Sequence, residues 1–320
     1  MWVIDHKNMG GEVAFRSTLR KRIGAGNRGG LAAYGFVAPS IIFILIFVLL
    51  PITATFYFSL TNYDLMSKPT FVGAKNYMTL LGDSRYPHAM TNTLYFAFGT
   101  VPTGVVTSLL LAILINRSIR GIHFFRAMFY LPVVSSIVSV AVIWMWMYEP
   151  QFGLLNEIFE LLGLPRLMWL KSADTSMLSI IILSVWKNMG LNMVIYLAGL
   201  QGIPPHLYEA AEIDGAGRNS VFRRITLPLL APTTYFVVIV YFIGALQMFV
   251  QVYVMTQSTT GGGLWGGPLD STITVVVLIF AHAFEYLKMG YASAMSFILF
   301  IVIGVVTLIN ARLLRYDIGY

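Results

Sequence analysis

The sequence has no cysteine and few charged residues. Without cysteine it can form neither a disulfide framework nor a thiolate metal site. Asp, Glu, Lys and Arg together make up 11% of the 320 residues, whereas soluble domains carry about 25%. Hydrophobic residues reach 57%, and the mean hydropathy is +0.75. A composition this poor in charge and this rich in apolar residues indicates a chain embedded in a lipid bilayer.

The chain also lacks the motifs of a motor, an ion-coupled carrier or an enzyme. A P-loop ends in Gly-Lys-Ser/Thr, and no Gly-Lys dipeptide occurs here. Ion-coupled carriers place paired ionisable residues inside the membrane, but only Lys187 lies deep in an apolar run. The five histidines are scattered, and no Ser–His–acid or metal-binding arrangement accompanies them. We therefore expect no catalytic residue, no metal and no cofactor in this chain.

Long apolar runs predict an all-α integral membrane protein with six transmembrane helices. Each run has about 20 residues, the length that crosses about 30 Å of hydrocarbon. The predicted spans are 33–58, 92–115, 126–147, 177–199, 228–252 and 290–313. The segment 272–284 is too short to span, and it is either a re-entrant or interfacial helix or the start of the sixth span.

Lys and Arg are distributed unevenly between the two sides of these spans. The segments that would share one side with the N-terminus hold 14 of them and the opposite loops hold 6. The positive-inside rule then places both termini and the loop 201–227 in the cytoplasm. The predicted organisation is a basic segment 1–32, a membrane domain 33–316 and a tail 317–320. The positive charge reflects topology and anionic lipid rather than nucleic acid, which we do not expect as a partner.

The loop 201–227 has the pattern of two short helices joined by glycine. Pro204 and Pro205 suit the first turn of a helix, and Gly215 suits its left-handed end. A DNA-binding helix-turn-helix is disfavoured, because the loop is tethered to membrane spans at both ends. An amphipathic helix resting on lipid and a helix docking on a partner both fit these residues.

The sequence "EAAEIDGAGRNSVFRRITLP" (209–228) resembles the EAA loop of the membrane subunits of bacterial ABC importers. The stretches "FVGAKNY" (71–77) and "FRAMFYLPVVSS" (125–136) are similar to other parts of the same family. The similarity extends over roughly 38–316, and it is closest to carbohydrate permeases of the MalF/UgpA type.

This resemblance implies a non-catalytic permease subunit in the cytoplasmic membrane of a bacterium or archaeon, transporting a sugar or sugar derivative. The implied partners are a second homologous permease, a cytoplasmic ATPase dimer that binds ATP and Mg, and an extracytoplasmic substrate-binding protein. The residues that would meet the ATPase are Glu209, Ala210, Ala211, Asp214 and Gly215. A stand-alone channel or an ion-coupled secondary carrier is the alternative function.

Polar side chains within the spans are candidates for the substrate path, because they are costly in lipid. The candidates are Lys187, Asn188, Leu191, Asn192, Tyr241, Gln247 and Gln251. Asn188 and Asn192 share one helix face at four-residue spacing, and the resemblance places Lys187, Asn188 and Leu191 near the sugar. Lys187 departs from the family pattern and could attract an anionic sugar or pair with an acid of the second permease. Helix packing explains the two glutamines as well as substrate contact does. In the outward loop 256–270, Trp265 is a candidate anchor for the binding protein.

Overall fold

The computed structural model describes residues 28–116, 121–256 and 265–313. The predicted basic segment before residue 28 and the tail 317–320 lie outside these ranges. The chain divides between Tyr57 and Phe58 into two compact units. The described part of the first unit is helical from Arg28 onwards, with a π-helical turn at Leu45–Leu49. Within the described residues the second unit is also predominantly helical.

Helices account for most of the described chain. Up to residue 161 they are Arg28–Ile44, Leu50–Ser59, Lys75–Leu81, Arg85–Ile115, Ile122–Val134, Ile137–Met147 and Leu154–Leu161. Later helices are Ala173–Gln201, Pro205–Ile213, Arg218–Val221, Leu227–Leu229, Ala231–Leu246, Val250–Thr256, Val275–Phe280 and Met289–Leu313. Further π-helical turns lie at Phe222–Thr226 and Ala281–Glu285, and 3-10 turns at Trp169–Lys171 and Pro268–Asp270. One antiparallel strand pair joins Thr61–Asn62 to Thr70–Phe71, with Thr61 opposite Phe71.

Four described helices are long and apolar enough to cross a bilayer. They are Tyr34–Ser59, Arg85–Ile115, Ala173–Gln201 and Met289–Asn310. Two helix pairs pass the same test only when taken together, so the number of candidate spans is between four and six. These lengths and compositions agree with the predicted all-α membrane class.

The two bent pairs correct the predicted third and fifth spans, which we expected to be continuous helices. In the third, the helices Ile122–Val134 and Ile137–Met147 meet at 99°. Ser135 and Ser136 between them have extended backbone, with ψ of 145° and 132°, and this ends the first helix before the second begins. Pro132 and the two serines permit a kink here, but the apolar run does not indicate a bend of this size.

The predicted fifth span, 228–252, is interrupted twice. Arg218–Leu229 and Ala231–Leu246 meet at 61°. Pro232 follows this bend and lacks the N–H that would bond the carbonyl four residues earlier, which favours a break there. A second break, at residues 247–249, separates Leu246 from the short helix that starts at Val250.

The segment 272–284 forms a separate short helix. It runs as an α-helix over Val275–Phe280 and as a π-helical turn over Ala281–Glu285. Leu287 then has a φ of 52°, a left-handed conformation that an α-helix does not continue through. The last helix starts only at Met289, so the alternative in which 272–284 begins that helix is wrong.

The core of the second unit is built around two long helices, Arg85–Ile115 and Ala173–Gln201, which pack along each other. One buried apolar cluster extends from this pair towards Trp144, Trp169 and Leu278. A second cluster lies at the other end of the pair. The helices approach their neighbours closely where a side chain is missing: a Cβ atom on Gly190 would lie 2.1 Å from the carbonyl oxygen of Phe129.

Candidate functional site

The first candidate site is the helix–turn–helix of residues 205–229, which we call the coupling element. Its first helix starts at Pro205 and ends at Ile213, and Gly215 follows with a φ of 68°. The Ala216 N–H donates to the Ala211 carbonyl at 2.9 Å, and the Gly215 N–H donates to the Glu212 carbonyl at 3.0 Å. This pair of bonds is a Schellman motif, so the predicted glycine end of the helix is confirmed.

One face of this helix is attached to the membrane domain. Ala211 is buried, and Leu207 and Tyr208 pack against the second apolar cluster, which includes residues of both neighbouring spans. The Tyr208 hydroxyl also lies 3.3 Å from Thr226 Oγ1 on the second helix of the coupling element. These contacts tie the first helix to the second and to the core, so a force applied to the helix would reach the spans.

The other face of the helix is open to solvent. Glu209, Ala210 and Asp214 are exposed, and Ile213 is 86% exposed. Of the five residues predicted for ATPase coupling, only Ala211 faces inward. Its side chain is buried in the membrane domain and is not exposed to a partner. Sequence reasoning missed Ile213, because an apolar residue beside two membrane spans gives no sign of facing water until the phase of the helix is known.

The second candidate site is a cavity of about 210 Å³ between four helices, which we call the central cavity. Its polar lining consists of Thr100, Ser184, Asn188, Asn192, Tyr241 and Gln251, and its apolar lining of Phe96, Leu191, Val240, Gly244, Ala245 and Met248. It opens where Leu191 and Val240 are 40% and 49% exposed. The structure therefore brings together five of the seven predicted path residues.

Three polar atoms of this lining are buried without a hydrogen bond. Thr100 Oγ1, Ser184 Oγ and Asn192 Nδ2 have no partner among the residues that the structure describes. Buried polar groups in proteins are nearly always bonded, and each one left unpaired costs free energy. A cavity that collects three of them is suited to a ligand that carries hydrogen-bonding groups.

Thr100 and Ser184 were not among the residues predicted from the sequence. Serine and threonine in helices commonly bond a carbonyl of their own helix, as Thr103 and Thr107 do in the same span. Their presence in a span is therefore no sign of a site. Only the packing of the helices around the cavity distinguishes Thr100 and Ser184 from these neighbours.

Two predicted path residues lie away from the central cavity. Gln247 is exposed and does not line it, although Gln251 does. We predicted a shared face from their four-residue spacing, which holds only in a continuous helix. The chain breaks at residues 247–249, and the two glutamines are thereby turned apart.

Lys187 is the other residue outside the lining, and main-chain carbonyls surround its ammonium. Lys187 Nζ donates to the carbonyl oxygens of Pro132 and Ser135, both at 2.9 Å, with that of Val133 at 3.5 Å. These carbonyls lie at the 99° bend, where the end of one helix leaves acceptors without a helical donor. Lys187 thus donates hydrogen bonds to the backbone of a broken span. This role differs from the two predicted for it, which were attraction of an anionic sugar and pairing with an acid of the second permease.

The outward loop places Trp265 differently from our prediction. Trp265 is buried, and its ring stacks on Tyr253 with centroids 4.0 Å apart. The prediction of an exposed anchor is therefore wrong, because the tryptophan fills a gap between helices. Among the described loop residues 265–270, the exposed one is Leu269. It lies beside Asp270, whose carboxylate accepts two hydrogen bonds from Arg85 at 2.9 and 3.0 Å.

Comparisons with known proteins agree with this architecture. The family described as "Binding-protein-dependent transport system inner membrane component" matches residues 92–316. The arabinooligosaccharides transport system permease protein AraP of Bacillus subtilis (strain 168) is 34% identical over 284 residues, which cover 88% of each chain. The sn-glycerol-3-phosphate transport system permease protein UgpA of Agrobacterium fabrum is 32% identical over 290 residues, which cover 90% of this chain and 96% of UgpA.

A solved structure has the same fold. It is the crystal structure of a bacterial alginate ABC transporter in complex with alginate pentasaccharide-bound periplasmic protein. One of its chains superposes with a TM-score of 0.78 at 25% identity, over 90% of this chain and 95% of that one. Since the family match spans most of the sequence, this chain belongs to the binding-protein-dependent transport system inner membrane components, the multi-pass permease subunits of ABC importers.

Proposed function

We propose that this chain forms, with a second and unlike permease, the membrane path of an importer for a sugar, oligosaccharide or sugar derivative. A cytoplasmic ATPase dimer that binds ATP and Mg drives it, and an extracytoplasmic protein delivers the substrate. The names of its relatives support this substrate class, since AraP transports arabinooligosaccharides and the similar crystallised transporter holds an alginate-loaded protein.

The proposed topology has six spans with both termini in the cytoplasm. Each bent helix pair then contributes one span, and the first helix of the coupling element, Pro205–Ile213, lies on the cytoplasmic side between the fourth and fifth spans. The excess of Lys and Arg on that side supports this orientation. Breaks within spans are tolerated where neighbouring groups satisfy the freed backbone, and Lys187 does so at the bend of the third span.

The coupling element is the part that meets the ATPase, and its two-sided character is the observation on which the proposal rests. Its outer face presents Glu209, Ile213 and Asp214, and its inner face is anchored in the core. An apolar side chain between two carboxylates suits an apolar groove with a basic rim. Closure of the ATPase dimer would push the helix as a rigid lever, and its anchored face would pass the movement to the spans.

The glycines of this element provide a matched test. Gly215 has a φ of 68°, while Gly217 has a φ of −66°, and a Cβ atom on either would have nothing within 4 Å. Alanine at Gly215 must adopt a left-handed conformation that costs about 1–2 kcal/mol, whereas alanine at Gly217 carries no such cost. A cost of this size lowers the ratio of the correct turn to its alternatives by roughly 5–30-fold.

The assay is substrate-stimulated ATP hydrolysis and uptake by the complete importer in proteoliposomes. We expect Gly215→Ala to lower both at least about 5-fold and Gly217→Ala to leave both near the wild-type values. Membrane insertion should be normal in both variants. Equal activity of the two variants, with the ATPase still bound, would show that this turn does not transmit the ATPase movement.

The central cavity is the proposed contact between this chain and the substrate. A volume of about 210 Å³ is below the roughly 300–1,000 Å³ of sites for drug-sized ligands, so this chain's part of the path holds one sugar ring at a time. Asn188, Asn192 and Gln251 offer amides, and Tyr241 offers a ring face. A longer sugar would pass along these groups ring by ring.

Transport by the isolated chain distinguishes an importer subunit from a stand-alone carrier. The purified permease alone in liposomes should take up no sugar under a proton or sodium gradient, and adding its partners with ATP should start uptake. Gradient-driven uptake by the chain alone would favour the carrier instead.

A further inference from the structure

The lining of the central cavity carries no charge. Among the described residues that form it, every polar group is a hydroxyl or an amide. Such a lining bonds neutral groups well, and it has no cation with which an anionic group could pair. The chemistry of the lining therefore bears on the charge of the substrate.

The unpaired atoms of the lining suit sugar hydroxyls. Asn192 Nδ2 can only donate a hydrogen bond, while Thr100 Oγ1 and Ser184 Oγ can donate and accept. A hydroxyl group satisfies all three, because it also donates and accepts. An ionised carboxylate or phosphate oxygen can accept from all three of these atoms, but it cannot donate a hydrogen bond to the oxygens of Thr100 and Ser184.

The cation nearest in sequence is not directed to the cavity. Lys187 directly precedes Asn188, yet it is absent from the lining, and its ammonium is taken up by the carbonyls of Pro132 and Ser135. Turning it towards an anionic ligand would break both hydrogen bonds and leave the carbonyls at the bend unpaired. The hydrogen bonds to these carbonyls thus hold the one lysine of this span away from the cavity.

An anion that enters such a cavity loses its hydration and gains no counter-charge. Taking an ionised group out of water costs far more than taking out a hydroxyl, unless a charged partner compensates. From these observations we infer that the substrate of this importer is an uncharged carbohydrate. This inference rests on the proposed sugar importer and separates the chain from UgpA, whose name specifies a phosphate ester, and from the transporter of alginate, an acidic polysaccharide.

Binding to the permease complex without the binding protein tests the inference, because the delivery protein has its own selectivity. The complex of both permeases and the ATPase is placed in nanodiscs, and equilibrium dialysis measures its binding of labelled oligosaccharides. The neutral probes are maltotriose, arabinotriose and galactotriose. Trigalacturonate is the acidic counterpart of galactotriose and differs by a carboxylate on each ring. At least one neutral probe should bind 10-fold or more tightly than trigalacturonate.

Two variants show whether the lining sets this preference. Asn188→Lys brings a cation into the lining, and it should reduce the preference for the neutral probe 10-fold or more. Gln247→Lys brings the same cation to an exposed position near the cavity but outside its lining, and it should leave the preference unchanged. Equal effects of the two variants would contradict a role of the lining.

The remaining outcomes separate this inference from the proposed function. Trigalacturonate binding as tightly as every neutral probe, or no neutral probe binding at all, would overturn the inference. The sugar importer would still stand if the complete system with its binding protein took up any of the four probes. If none of the four were taken up while ATP hydrolysis remained intact, the proposed substrate class itself would be wrong.

Discussion

Replacing Gly190 by alanine tests the close packing between the helix Ala173–Gln201, which lines the central cavity, and the helix Ile122–Val134. Gly190 lies in the helix Ala173–Gln201, two residues after Asn188 and two before Asn192. A Cβ atom there would lie 2.1 Å from the carbonyl oxygen of Phe129, well inside the 3.0 Å that real Cβ atoms keep. The obstacle is main chain and cannot rotate away, so the helix would have to move away from the helix Ile122–Val134.

The magnitude follows from two opposing effects. Overpacking costs about 1–3 kcal/mol, and a main-chain obstacle places Gly190→Ala near the upper end. Alanine also improves helix propensity over glycine by about 1 kcal/mol. The net result is a destabilisation of about 2 kcal/mol, which corresponds to a decrease in Tm of about 4–8 °C in a domain of this size.

A second helical glycine provides the control. Gly304 lies in the last helix, and a Cβ atom on it would have nothing within 4 Å, so Gly304→Ala should keep or slightly raise the Tm. The assay is thermal unfolding of the assembled complex in nanodiscs, with ligand binding measured on the same samples. A Tm for Gly190→Ala equal to or above that for Gly304→Ala would refute the packing described here.

Two further predictions concern polar side chains that bond main-chain groups. Lys187→Met has two opposing effects on stability. It loses two charge-assisted hydrogen bonds of about 1.5–3 kcal/mol each, and it relieves the roughly 2.5–3.5 kcal/mol cost of placing an ammonium in the membrane. The Tm of the complex should therefore decrease by an amount equivalent to about 1–2 kcal/mol, with an unchanged neutral-to-acidic binding ratio; a changed ratio would mean that Lys187 contacts the ligand. Asn156 is fully buried and bonds Pro150, both main-chain groups of Leu167 and the Trp169 indole. Asn156→Ala should destabilise the segment between Pro150 and Trp169 by about 2–3 kcal/mol and speed the proteolysis of this segment in spheroplasts. An unchanged cleavage rate would contradict the structural role of Asn156.

The sequence alone determined the membrane class and the family. Both depend on features that are local in the chain: apolar runs of membrane length, and a glycine motif with fixed spacing. The left-handed turn at Gly215 was predictable for the same reason, since glycine adopts that conformation without steric cost. Asn188 and Asn192 were placed together correctly, because the helix that carries them is continuous.

Only the tertiary structure decided how the spans bend and which groups their polar side chains contact. Pro132 and the serine pair Ser135–Ser136 permit a break in this apolar run, but the run alone does not show that the two helices meet at 99°. The same break supplies the carbonyls that hold Lys187, so the role of Lys187 could not be predicted from its own span. Gln247 and Gln251 were turned apart by another such break. The physical reason is common to all of these cases: a broken helix frees backbone groups and changes side-chain phase, and the neighbouring helix that stabilises the break is distant in sequence.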